Sequence, residues 1–187
     1  GADARINPDL NNQIDEMRAE VVHWLAELDK FFGYQVKRPL IILTIPDRLS
    51  VLVGDGYSLE TAGAYGNGVV LLAITDDGID QSTLVHELAH HYIHELSRGN
   101  YPVWYSEGLA QLAEWQLVGV RWFDAVEDYT YYKYSIEQLN RDFYGLEDQV
   151  SAYRNAFELV YFLQVFGGQA NLDILAALAK GKDLEQA

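Results

Sequence analysis

Two histidines four residues apart, in His86-Glu87-Leu88-Ala89-His90, restrict the fold of this chain more than any other feature. On an α-helix, residues at that spacing lie one above the other on a single face. The two imidazoles can then grip one metal ion, provided the helix is continuous and a third ligand arrives from elsewhere. A metal centre that does chemistry takes three protein ligands and keeps one position open. Glu87 stands about 100° round the helix from His86, so it can reach the open position without binding the metal. There it would take a proton from water on the metal and later pass it to the leaving amine.

A third ligand is offered a short way downstream, in Trp104-Tyr105-Ser106-Glu107-Gly108-Leu109-Ala110. Glu107 stands early in a predicted helix, beside Gly108 and Ala110, whose small side chains let another helix approach closely. A carboxylate among Val103, Trp104, Leu109, Ala110 and Leu112 needs a partner. A metal is one answer; an exposed place in the first turn, favoured by the helix dipole, is the other. The chain has no cysteine, so disulfides and thiolate ligands are excluded and any zinc site uses histidine and carboxylate. His94 continues the stripe of His86 and His90, but its ring would lie ~12 Å from the first along one helix. His91 points elsewhere and His23 lies on another helix, so these three read as structural. Gln111 and Glu114 follow on the face of Glu107, where either can hydrogen-bond a ligand histidine.

The order of elements predicts an α+β fold in which a small, mainly antiparallel sheet precedes a helical half. Apolar residues recur at helical spacing from Leu10 to Phe32, and Gly33 ends the run. Leu40 to Ile45, stopped by Pro46, reads as a buried strand; Val51 to Val53, before Gly54-Asp55-Gly56, is a weaker one. Val69 to Ile74 is a second strong strand and Asp76-Asp77-Gly78 a turn. Helices are expected from Gln81 to Ser97, from Pro102 to Leu117, over Ile136 to Phe143, over Val150 to Phe166 and over Asn171 to Ala179. The stretch Tyr129 to Tyr134 is ambiguous. No repeat or linker is visible, so residues 1–187 read as a single domain.

His-Glu-x-x-His followed by Trp-x-x-Glu-Gly-x-Ala resembles the gluzincin zinc metallopeptidases, the thermolysin and aminopeptidase N-like clan, and among them the small peptidase MA-like domains. The resemblance is strongest over Val85 to Glu114. It implies a thermolysin-like architecture with zinc between two helices, bound by His86, His90 and Glu107, and Glu87 as general base. Ser151 to Gly167 is similar to the C-terminal helix of that group, where a tyrosine can donate a hydrogen bond to the tetrahedral oxyanion. Tyr153 is the candidate, with Tyr129, Tyr131, Tyr132 and Tyr134 as competitors and a packing role as the alternative. Gly63-Ala64-Tyr65-Gly66-Asn67 resembles the Gly-x-Met-Glu-Asn segment of aminopeptidases. Gly66 replaces the glutamate that holds a free amino terminus, which weighs against aminopeptidase activity. The strand after it, Val69 to Ile74, is then expected to be the edge that pairs with extended substrate. Thermolysin-like enzymes carry an aspartate at the Gln111 position, a second departure.

The leading expectation is a zinc-dependent endopeptidase or related amide hydrolase, acting on peptide or protein substrates. The alternatives are a catalytically silent gluzincin-fold binding or scaffold domain that retains the metal, and a metal-binding protein with a carboxylate-rich surface. A formal net charge of −15 argues against nucleic acid, which needs a basic surface. No apolar run approaches the ~20 residues of a membrane span. The start Gly1-Ala2-Asp3-Ala4 carries no leader and no initiating Met, which favours a secreted or periplasmic mature form over a cytoplasmic one. Trp104, Tyr105 and Trp122 are either pocket or core. Oligomeric state stays open.

Overall fold

The apolar periodicity of the first segment folds as one helix, α1 (Pro8–Phe32), in the computed structural model of the protein. The structure describes residues 8–37, 40–46, 49–53, 57–74, 78–125, 133–184 and 186. Trp24, Leu28 and Phe32 repeat every fourth residue and turn one stripe of α1 into the core. Gly33 ends the helix at φ 59°, a conformation that glycine adopts without strain.

Five strands follow: β1 (Ile41–Pro46), β2 (Leu49–Val53), β3 (Tyr57–Thr61), β4 (Gly63–Gly66) and β5 (Val69–Ile74). The three-stranded sheet has the order β1-β5-β4, while β2 and β3 form a separate antiparallel ribbon. β5 runs parallel to β1, with Ile41 opposite Val69, and antiparallel to β4, with Gly63 opposite Leu72. The sheet is therefore mixed rather than mainly antiparallel. After β1 the chain does not turn straight back; it makes the β2–β3 ribbon, returns along β4 and re-enters beside β1 in the same direction, as a parallel pair requires. β5 is hydrogen-bonded on both sides, so it is not the edge strand that its sequence suggested. The edges of the described three-stranded sheet are β1 and β4, and β4 is the one beside α2. Val70 and Leu72 face the core in alternation with half-buried Val69 and Leu71.

The helical half comprises α2 (Gln81–Ser97), α3 (Val103–Val118), α4 (Ile136–Arg141), α5 (Gln149–Gly167) and α6 (Ala170–Leu178), with a short 3₁₀ turn at Trp122–Ala125. Asp80 caps α2 by accepting a hydrogen bond from the Thr83 amide at 2.7 Å. Pro102 precedes the first residue of α3 in extended conformation, one position earlier than expected. α3 is buried almost all round from Trp104 to Glu114, which places it at the centre of the fold. Against it α5 packs so closely that a β-carbon at Gly108 would collide with the Ala156 carbonyl group. Tyr92 of α2 stacks on Phe32 and donates a hydrogen bond to Asp29 at 2.6 Å, locking α1 against α2.

Gly54-Asp55-Gly56, Asp76-Asp77, Tyr129, Tyr131 and Tyr132 lie outside the described residues, as does the side chain of Trp122. Among the described residues no helix is long and apolar enough to cross a membrane.

Candidate metal centre

His86, Glu87 and His90 face the sheet and α3 from the middle of α2. The rings of His86 and His90 lie 4.9 Å apart at 79° to one another. Glu107, one turn into α3, meets both. Its Oε2 lies 3.2 Å from His86 Nε2 and 3.7 Å from His90 Nε2. One ligand atom from each residue falls within 4.8 Å of the others, so the group could hold a metal ion. Ligands held at 2.0–2.1 Å by a tetrahedral ion stand ~3.3 Å apart, close to both separations.

The outward side of each ligand is also held. His86 Nδ1 lies 3.2 Å from Glu114 Oε2, and His90 Nδ1 lies 2.8 Å from Ser106 Oγ. The Tyr144 hydroxyl donates to Glu107 Oε1 at 2.7 Å. Such outer hydrogen bonds fix ring orientation and tautomer, leaving the inward nitrogens to bind. Glu107 and Glu114 are only 6% and 4% exposed. Three buried carboxylates around two histidines suit a divalent cation, which would offset charge that is otherwise costly to bury.

The electrostatics divide the carboxylates. Burial disfavours ionisation of Glu107, yet the charges of His90 and His86 and their hydrogen bonds hold its carboxyl far below the usual range. Burial would also discourage a charge on His86, but its hydrogen bonds to Glu107 and Glu114 raise its pKa well above the ordinary value. Glu87 goes the other way: burial pushes its pKa up, against the pull of His86 and His90. Glu87 is thus buried beside the group without belonging to it. Gly63 of β4 makes the room for it. A β-carbon there would sit 2.7 Å from both Glu87 Cγ and Thr83 Cγ2.

Tyr153 projects from α5 into the same region. Burial, followed by the charges of Glu107 and Glu87, raises its pKa well above the ordinary value, and it is a hydrogen-bond partner of Tyr144. Burial and the Glu107 charge likewise raise the pKa of Tyr144. Both hydroxyls stay protonated near neutrality. Tyr134 serves the scaffold instead: its hydroxyl accepts from the Asp148 amide at the start of α5.

Other expectations resolve one by one. Glu114, not Gln111, meets His86; Gln111 donates to the Glu107 and Tyr153 carbonyls and so ties α3 to α5. Trp104 and Tyr105 are core rather than pocket, 2% and 0% exposed, with hydrogen bonds to Asn140 and Asn171. His91 lies 3.2 Å from the Tyr65 hydroxyl, His94 packs beside Tyr65 and Tyr101, and His23 packs beside Trp24. None of the three joins the metal group. Ser106 and Tyr144 escaped the sequence reading. Ser106 had a signal, since it adjoins Glu107 in the same helical turn; Tyr144 sits in an aperiodic turn and had none.

Compared with protein-family models, curated proteins and solved structures, the chain matches none of them.

Proposed function

We propose that the protein is a zinc-dependent peptidase of the gluzincin type. One observation carries this reading: His86, His90 and Glu107, which could hold a metal ion, have a further carboxylate, Glu87, buried beside them and outside the set. A cation store would need the group and not Glu87. Two imidazoles with a single carboxylate favour zinc over calcium or magnesium, which take oxygen ligands.

Zinc, when bound, would lower the pKa of water toward ~7 and polarise a scissile carbonyl. The chain's own residues supply the rest. Glu87 accepts the proton of the attacking water and returns it to the leaving amine. Tyr153 carries a phenol that can donate to the oxyanion, where charge develops only in the transition state. β4 offers a sheet edge beside Glu87 to which an extended peptide could add as an antiparallel strand.

The deciding assay is cleavage of a quenched peptide library by wild type, by chelator-treated protein and by Glu87→Gln. Turnover lost in both of the latter, with metal retained in Glu87→Gln, supports the peptidase. Metal binding without turnover on any peptide would instead mark a domain that keeps the metal for binding or scaffolding.

A further inference from the structure

Glu107 presents its two oxygens to different neighbours. Oε2 faces both histidines, at 3.2 Å and 3.7 Å. Oε1 accepts the Tyr144 hydroxyl at 2.7 Å. We propose that Tyr144 is a positioning residue that holds Glu107 as a one-oxygen ligand and so keeps a coordination position open. The proposal rests on the metal-centre reading above.

A carboxylate with an unoccupied second oxygen can rotate and bind a cation through both. Zinc tolerates the resulting fifth ligand, and the position meant for substrate or water would then be crowded. A phenol donating to Oε1 opposes that rotation. It suits the task because it is a neutral donor at physiological pH and adds no charge beside Glu107.

The turn that carries Tyr144 is built to aim it. Asp142 Oδ1 accepts from the Gly145 amide at 3.1 Å. Gln149 Nε2 faces the carbonyl oxygens of Phe143, Tyr144 and Leu146, at 3.1, 3.1 and 2.8 Å. The Phe143 ring is buried between those of Tyr144 and Tyr153, with centroids 5.5 Å and 5.0 Å away. A side chain at the solvent rim (Tyr144 is 40% exposed) is thus anchored on the protein side by both its turn and its hydroxyl. Sites held by such outer contacts are where single substitutions alter metal geometry.

The test is Tyr144→Phe in the full chain, loaded with cobalt(II), whose visible absorption reports coordination number. Zinc affinity is measured alongside by chelator competition. The expected result is a weaker, shifted cobalt absorption as Glu107 brings in its second oxygen, with zinc still bound. A cobalt spectrum identical to that of wild type overturns the proposal, whatever happens to affinity or turnover. Should Tyr144→Phe not fold, Gln149→Ala loosens the turn without touching Glu107. It is expected to shift the spectrum in the same direction by a smaller amount, and an unchanged spectrum there also overturns the proposal. A wild-type chain that takes up neither cobalt nor zinc defeats the metal reading itself, a separate result.

Discussion

Gly63 and Glu87 share one space: a β-carbon on the glycine would lie 2.7 Å from Glu87 Cγ and 3.1 Å from its Oε1. The edge strand therefore sets where the proposed base can stand. Gly63→Ala is expected to displace Glu87 while sparing the histidines and Glu107. A shift of about 1 Å in a reacting group can cost about 100-fold in rate. Steady-state kcat/KM should fall by that order while zinc content stays at the wild-type level. Equal loss of metal and activity would show that the glycine supports the whole centre rather than Glu87.

The outer partners of the histidines predict metal affinity. Glu114→Ala leaves His86 Nδ1 without its carboxylate, and Ser106→Ala leaves His90 Nδ1 without its hydroxyl. Each should weaken zinc binding by about 10- to 100-fold, read by competition with a chromogenic chelator. Unchanged affinity in both would mean that the rings are held by packing alone.

Gly108 fixes the distance between α3 and α5. An added methyl would meet the Ala156 carbonyl and lie 2.9 Å from Val160 Cγ2. Backbone cannot yield as a flexible side chain does, so Gly108→Ala should destabilise the fold by about 1–3 kcal/mol. Urea denaturation checks this. A midpoint equal to wild type would show that the two helices can separate without cost.

Asp80 predicts a pH dependence. Burial works to raise its pKa, but hydrogen bonds from Ser82 and Thr83 prevail and lower it below 3.8. A carboxylate with a depressed folded-state pKa stabilises above its unfolded value, and the contribution is lost as pH falls through the folded value. Asp80→Ala should cost about 1 kcal/mol at neutral pH. The gap between mutant and wild type should narrow as the pH falls below about 4. Paired urea titrations at pH 7 and pH 3 measure it; a gap that is constant or widens in acid would contradict the assignment.

Features set by neighbouring residues were legible in the sequence, and those set by distant contacts were not. His86, Glu87 and His90 lie on one helix, whose period alone sets them on neighbouring faces, and Glu107 lies on the next helix beside small residues that bring a neighbour close. The sheet was less readable because its pairing is decided by long-range contacts. Val69 to Ile74 had the composition of a strand, but nothing in it showed that β1 and β4 would flank it on both sides. Gly63 to Gly66 has two glycines in four residues and no alternation, so β4 gave no strand signal. Tyr144 reaches Glu107 across 37 positions of sequence from a turn without periodicity, and only the packing of that turn against α3 and α5 reveals it.

His86, His90 and Glu107 are proposed to bind one metal ion. Elemental analysis of the purified chain beside Glu107→Ala, after equal exposure to zinc and removal of the excess, measures this. One zinc per wild-type chain is expected and a large loss in the variant, with far-ultraviolet circular dichroism showing that the variant is folded. No zinc on the wild-type chain, or an equal amount on a folded Glu107→Ala, would contradict it.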